Sequence, residues 1–444
     1  MPALSLAYLA AHTPENWDVK IVDETVEPFD AWKHVEGSDI VGFSGGNVCN
    51  IHRLTDHISR VTEYDQVMGE ETPIILGGYV GGLNIEGLPN RVDARVIGPG
   101  ELALQELLAD FENGGMKREY VGQRVPMNEL RTPDFSGFNV AAYGKNVNWP
   151  VMTSVSCGNT CGFCSARAVY GDGYASRSPE KVLADMAQFD PDTRLYFVDP
   201  NVLQLSRNGK RRARKLFKGM AKQNHPWFGS ATFRVSEDER MLEAMAESGC
   251  KGLLIGFDSA LPESLQTVSA PKYRVREDQT LIEYYVEGVK RIQEKFGIDV
   301  LGTFVIGFDT DDERTIANTI RVVQDSGMKD AQYLPFTPLP GTPSYNEMEA
   351  AGRIIDHNLN RYDFTDVVFR PQNFSGAELR DSLVKMYDET FPRMLAIYRR
   401  FGLVRDRPEL IKVESMKLRA EREERAARER ERRGRRRGGG GGHH

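Results

Sequence analysis

Cys157-Gly-Asn-Thr-Cys161-Gly-Phe-Cys164 gathers three of the chain's five cysteines within eight residues, spaced Cx3Cx2C. Three thiolates on one short loop can hold three irons of a [4Fe–4S] cluster, whose cubane form normally takes four cysteine ligands. The fourth iron is then open to a small molecule, and an open metal position marks a catalytic site rather than a structural one. Gly158 and Gly162 let the backbone wrap closely around such a cube, and Phe163 sets a ring beside whatever binds the open iron. The alternative is a structural zinc site, which needs a fourth Cys or His close by, usually in CxxC pairs. The nearest remaining thiol is Cys250 and the nearest histidine His225, both far along the chain. A disulfide framework is disfavoured, because three clustered thiols cannot all pair and no secretory signal precedes them.

Outward from the loop, residues 149–348 alternate strand and helix patterns. Val151–Val155, Leu195–Val198, Gly229–Phe233, Gly252–Phe257, Val300–Phe308 and Ala331–Phe336 read as six strands. Helices are expected at Pro179–Gln188, Asp238–Ser248, Thr280–Lys295 and Asp312–Ser326. Six βα units make a partial version of the eight-stranded barrel, whose chemistry belongs at the C-terminal strand ends. The cysteine loop follows the first of these strands.

Residues 1–115 alternate in the same way, with short apolar strands at Val19–Asp23, Asp39–Ser44, Pro73–Gly78 and Ala94–Gly98. Helices are expected at Cys49–Glu63 and Glu101–Asn113. The pattern is that of a doubly wound, flavodoxin-like α/β domain, which takes ligands beyond the carboxyl ends of its strands. Those ends carry Ser44-Gly45, Gly77-Gly78 and Gly98-Pro-Gly100, small residues that let a large planar ligand approach the backbone. Turns need glycine too, so the glycines alone permit a ligand without naming one. The chain opens on a helix where such a sheet has a strand, so the expected domain lacks its first strand. Residues 116–148 read as a linker and 349–408 as a helical extension including Ser375–Arg399, where Ser375 and Glu378 have capping-box spacing. Residues 409–444 form a charged tail, a solvated helix or a disordered arm.

These motifs, in this order, resemble the cobalamin-binding branch of the radical S-adenosylmethionine (radical SAM) superfamily. The resemblance rests on the cysteine loop, Pro150-Val-Met-Thr-Ser before it and Val169-Tyr-Gly after it. It extends through Arg177-Ser-Pro-Glu-Lys-Val, Phe197-Val-Asp-Pro-Asn, Ile255-Gly-Phe-Asp-Ser, Phe304-Val-Ile-Gly-Phe-Asp-Thr-Asp and Thr337-Pro-Leu-Pro-Gly-Thr-Pro. It implies that Cys157, Cys161 and Cys164 ligate a [4Fe–4S] cluster. The open iron would chelate S-adenosylmethionine, which a reduced cluster cleaves to a 5′-deoxyadenosyl radical. Phe163, Asp199, Asn201, Asp258, Gly307 and Asp309 would contact S-adenosylmethionine, with Asp258 standing where the family more often has Glu. Asp199 and Asp309 could equally be turn caps. Arg177 and Arg234 are further candidates, although a cation in a barrel mouth often pairs with the protein's own carboxylate.

The resemblance also names the ligand of the first domain as cobalamin, held by Ser44, Gly45, Gly77, Gly78, Gly98 and Gly100. Departing from the family, the chain has no Asp-x-His-x-x-Gly motif to supply a lower axial ligand. His52 and His57 read instead as helix-surface residues. Arg131-Thr-Pro-Asp-Phe and Tyr143 resemble the family's connection into the barrel. The implied reaction is methyl transfer to an unactivated carbon, or to phosphorus. A radical rearrangement or cyclisation with the same cofactors is the second reading. A non-catalytic corrinoid or electron-transfer protein is the third. Substrates of small-molecule, lipid or tetrapyrrole type would suit the apolar Thr337–Pro343 segment, and an external electron donor such as flavodoxin or ferredoxin is required.

Composition bounds the remainder. The 444 residues, 40% of them hydrophobic and 27% charged, suffice for two or three domains. No run of about 18 apolar residues exists to span a membrane. Leu4-Ser-Leu-Ala-Tyr-Leu-Ala-Ala lacks the basic flank of a signal peptide. Unpaired thiols and an oxygen-sensitive cluster point to a reducing cytoplasm. Net charge is −7, yet Lys417–Arg437 holds eleven Lys/Arg against five Glu, so the body is more acidic than the total, with no sign of a nucleic-acid surface. The terminal His443 and His444 suggest no metal role.

Overall fold

The computed structural model describes residues 1–83, 91–171, 173–268 and 273–391. They lie in one compact unit, Met1–Pro392, that contains two parallel sheets. The tail from 409 and the end of the helix expected to reach Arg399 lie outside the described residues.

In the first sheet, β1 (Val41–Gly45), β2 (Ile74–Gly77), β3 (Ala94–Ile97) and β4 (Glu119–Val121) lie side by side in chain order, all parallel. Val41 faces Ile74, Ile75 faces Ala94, and Arg95 faces Glu119. The run Ile74-Ile-Leu76 is wholly buried, as a parallel strand covered on both faces must be. The helix Ile51–Met68 buries Ile51, Leu54, Ile58 and Val61 at three- and four-residue spacing and stops at Gly69 in the left-handed conformation.

Three expectations are corrected here. Among the described residues the strand order never reverses, so the switch point of a doubly wound sheet is not observed. Val19–Asp23 forms no strand; Ile21 donates its N–H to the Gly137 carbonyl and packs beside Phe135 and Phe138. An extended segment becomes a strand only where a ladder partner lies alongside it. The segment 116–148 does more than link, since it supplies β4 and much of a core. Val125, Met127, Leu130, Phe135 and Phe138 are buried with Leu4, Ala7, Tyr8 and Val155. Each fully buried apolar side chain there contributes about 1.5–3 kcal/mol.

The second sheet holds six parallel strands: β5 (Trp149–Val151), β8 (Leu195–Phe197), β9 (Trp227–Thr232), β10 (Cys250–Asp258), β11 (Asp299–Ile306) and β12 (Asp330–Pro335), again in chain order. Aromatic side chains fill it, with Phe257 stacked on Phe304 at 4.9 Å and packed edge-on against Tyr285. The first strand is shorter than expected. After a bend at Thr153 the chain forms β6 (Ser154–Val155), which pairs antiparallel with β7 (Ala175–Ser176). This small ribbon brackets the cysteine loop. In the extension, the helix Gly376–Thr390 opens on the expected capping box, with Ser375 and Glu378 bonded reciprocally.

Candidate active site

The cysteine loop is held at its root by a buried carboxylate. Asp199, at the end of β8 and 1% exposed, accepts from the Thr153 N–H at 3.0 Å, from Thr153 Oγ1 at 2.9 Å and from Ser154 Oγ. Burial pushes its carboxyl above the ordinary value despite these donors. Arg212 braces the ribbon from outside, donating to the Arg177 carbonyl at 2.7 Å and the Thr153 carbonyl at 2.8 Å. Ser156, with φ +63°, turns the chain into the loop, and its hydroxyl donates to the Gly171 carbonyl at the far end.

Within the loop, the Cys164 N–H reaches the Cys161 carbonyl at 3.3 Å, and Asn159 Nδ2 donates to Cys157 Sγ at 3.5 Å. All three cysteines line one cavity of about 210 Å³ at the C-terminal ends of the barrel strands. Asn159 and Arg167 flank them. The strands contribute mostly small residues, Ser230, Ala231 and Thr232 of β9, Gly256 of β10 and Thr303 of β11, together with Leu254. Among the described residues no group of three His, Cys, Asp or Glu is placed to hold a single metal ion. Three cysteines lining one cavity fit the three-thiolate side of a [4Fe–4S] core.

The other expected contacts divide between the cavity's rim and the protein's own bracing. The Phe163 ring lies 5.6 Å from that of Phe308, which in turn meets Phe336. Asp258 is buried, with φ +60°, at an irregularity in the β10–β11 pairing beside Gly256. Asn201 Oδ1 accepts from the Leu203 N–H. Gly307, φ +111°, and Phe308 both donate N–H bonds to Asp311. Asp309 instead grips Arg353 with both oxygens, at 2.6 and 2.8 Å. The buried carboxylate under the β11 turn is thus Asp311, which also accepts from Ser264 and Thr315. It sits two residues beyond Asp309 in an Asp-Thr-Asp-Asp run, and only side-chain direction distinguishes the two. Arg177 is engaged internally with Asp185 at 2.5 Å and Tyr8 at 2.6 Å, and Arg234 lies 3.8 Å from Glu237.

The glycines named for the first sheet all lie at its carboxyl strand ends. Packing within the chain explains three of them. A Cβ on Gly45 would fall 2.7 Å from Val80, one on Gly78 would fall 2.8 Å from the Gly45 carbonyl, and one on Gly100 would fall 2.8 Å from Leu9. Ser44 and Gly98 are exposed and Gly77 half-buried. Beside this shelf, Asn47 Oδ1 and Glu101 Oε2 are buried with no hydrogen-bond partner among the described residues. Unsatisfied buried acceptors are costly, so a shelf carrying two fits a ligand with amide donors. His57 is corrected: it is buried, pairs with Glu24 at 2.8 Å and stacks on Phe43.

Tyr79 joins the two regions. It follows the Gly77-Gly78 shelf, donates its hydroxyl to the Pro340 carbonyl and lies near Cys164; burial and that thiol push its phenol up to about 12. The Thr337–Pro343 segment, expected to face substrate, is partly occupied by this contact, since Leu339 packs with Val48, Tyr79, Tyr362 and Val368. Among the described residues no helix is long and apolar enough to cross a membrane.

Known proteins agree with this geometry. The radical SAM superfamily pattern matches residues 151–323, from the first barrel strand through the fifth. The chain is 23% identical over 401 residues to the bacteriochlorophyllide d C-12(1)-methyltransferase of Chlorobaculum tepidum, covering 87% of this chain and 82% of that protein. It is 23% identical to the hopanoid C-2 methylase of Rhodopseudomonas palustris, over 87% of this chain and 71% of that one. Among solved structures, the cobalamin-dependent S-adenosylmethionine radical enzyme OxsB superposes with a TM-score of 0.69 at 15% identity, covering 95% of this chain and 69% of its own. The three cysteines gathered at the mouth of the six-stranded parallel barrel thus lie in a segment, residues 151–323, that matches the radical SAM superfamily, and over most of its length the chain is similar to two methyl-transferring enzymes and to a cobalamin-dependent radical enzyme.

Proposed function

We propose that the protein is a cobalamin-dependent radical SAM methyltransferase that places a methyl group on an unactivated carbon of a lipid or tetrapyrrole-like molecule. The observation that carries this reading is the meeting of Cys157, Cys161 and Cys164 in one cavity, with Tyr79, which follows the small-residue shelf of the neighbouring sheet, close to Cys164 and bonded to the Pro340 carbonyl. When bound, the [4Fe–4S] cluster supplies one electron for cleaving S-adenosylmethionine, and the corrinoid supplies a methyl carrier.

The residues would divide this work. Three cysteines would hold the cluster, with Asn159 donating to the Cys157 sulfur. The small residues Ser230, Thr232, Gly256 and Thr303 leave room for the nucleoside of S-adenosylmethionine, and Asp258 stands beside Gly256 to accept from ribose hydroxyls. Phe163 and Phe308 would shield the reacting end from water. Asp199 and Asp311 would act as positioning residues, holding the loop and the β11 turn. On the shelf, Ser44, Gly77 and Gly98 leave the surface open, and Asn47 and Glu101 would accept hydrogen bonds from corrinoid amides.

Anaerobic reconstitution with and without cobalamin tests the reading, with iron, corrinoid, deoxyadenosine and S-adenosylhomocysteine all quantified. The expected result is four irons and one corrinoid per chain, with deoxyadenosine lost in Cys161→Ala. Failure to retain corrinoid sinks the methyl-carrier role, and a product isomeric with its substrate points to the rearrangement reading.

A further inference from the structure

The helix Arg207–Met220 carries seven Lys/Arg and no acidic residue in a chain of net charge −7. Its sequence sorts the charges by face. Ala213, Leu216, Phe217 and Met220 are buried, while Arg207, Arg211, Arg214, Lys215 and Lys218, followed by Lys222, are exposed at three- and four-residue intervals. Arg214 and Lys215 have neighbouring carboxylates in Asp238 and Glu180. Arg207, Arg211, Lys218 and Lys222 have no ion pair among the described residues. The unpaired cations at four-residue spacing, Arg207 with Arg211 and Lys218 with Lys222, add no stability to the helix, because like charges four residues apart repel.

This cationic stripe begins beside the cysteine loop. Gln204, two residues before the cap Ser206, wedges between the two: a Cβ on Gly158 would lie 2.8 Å from its Nε2, and one on Gly209 of the helix 2.5 Å from its Cβ. From the helix's inner side, Arg212 braces the Thr153 backbone that leads into the loop. The positive end of the helix dipole points the same way.

We propose that this stripe is the docking face for an acidic one-electron carrier protein, which reduces the cluster through the edge of the loop at Cys157–Gly158. The inference rests on the radical SAM reading above, whose chemistry consumes an electron the chain cannot generate. In the step, one electron leaves the carrier's reduced flavin, which is oxidised by one electron, and enters the [4Fe–4S] core, which is reduced by one. Complementary charge speeds such encounters from about 10⁵–10⁶ to as much as about 10⁸–10⁹ M⁻¹s⁻¹ at low salt.

The test uses reconstituted enzyme, an acidic flavodoxin as probe, and the variant Arg207→Glu/Arg211→Glu/Lys218→Glu. Stopped-flow absorbance follows cluster reduction, and thermophoresis follows the affinity for oxidised flavodoxin. The variant is expected to lose roughly ten- to a hundredfold in rate and affinity at low ionic strength, with the gap narrowing as salt screens the charges. Its reduction by titanium(III) citrate should match wild type. Docking elsewhere is established if flavodoxin reduces both proteins alike. Slow reduction by titanium as well would mean the substitutions damage the cluster, which also overturns the proposal. So would loss of single-stranded RNA binding with flavodoxin kinetics intact, which would make the stripe a nucleic-acid surface. If wild type reduced by titanium yields no deoxyadenosine, the radical SAM reading itself fails, independently of docking.

Discussion

The root of the cysteine loop and the glycine shelf of the first sheet differ in how their buried polar groups are matched. At the barrel's strand ends three groups are matched within the protein: Asp199 takes three donors, Asp311 takes bonds from two backbone N–H groups and three hydroxyls, and Arg212 caps two carbonyls. On the first sheet, Asn47 and Glu101 each leave an acceptor buried and unmatched beside exposed Ser44 and Gly98. Satisfied networks rigidify, whereas unsatisfied groups lower stability until something binds them. The cysteine loop is therefore braced within the chain, whereas the shelf holds two acceptors that a bound ligand would match.

The largest effect should follow from breaking the barrel's side of this contrast. Asp199→Ala strands the Thr153 N–H and two hydroxyls in a dry interior, and unfolding in urea should show a loss on the order of 3 kcal/mol, with reduced iron retention. Asp199→Asn, which keeps one acceptor, should fall between. On the shelf the signs should separate. Asn47→Leu should weaken corrinoid binding about tenfold, about 1.4 kcal/mol, by equilibrium dialysis, while leaving the ligand-free protein at least as stable, since it removes a stranded acceptor. Equal losses of stability in both forms would show that Asn47 serves only packing.

The smallest effect belongs to Glu24, behind the shelf. Burial opposes its ionisation, yet hydrogen bonds from Arg53 and His57 hold it at about 2 against an ordinary 4.5. A carboxyl depressed on folding stabilises the protein fully above its ordinary value, and that contribution is lost as pH falls from 4.5 toward 2. Glu24→Gln should therefore lower the unfolding midpoint at neutral pH, where the contribution is complete, and flatten the acid limb so that variant and wild type converge toward pH 2.

Much of the barrel was legible because apolar strands, amphipathic helices and turn residues alternate in a long regular pattern, and the cysteine loop carries its chemistry in its spacing. What escaped depends on direction and partnership, which spacing does not carry. Asp309 and Asp311 are two residues apart, and rotamers alone send one to Arg353 and the other under the turn. Val19–Asp23 has a strand's composition but no neighbour to pair with. The segment 116–148 lacks periodicity, yet Phe135 and Phe138 reach back to the first helix and form a core with it. Asn47 follows a glycine pair and reads as an ordinary turn residue; only the missing partner for its carbonyl marks it.

The ribbon of β6 and β7 has a thermodynamic consequence for metal uptake. It joins the ends of a 19-residue segment, residues 156–174, before any iron arrives. Closing a flexible loop of that length carries an entropic penalty that grows only as the logarithm of its length, about 0.6 kcal/mol per doubling on top of a fixed cost. Because folding of the barrel already meets that penalty, the thiolates do not have to meet it again when the cluster binds.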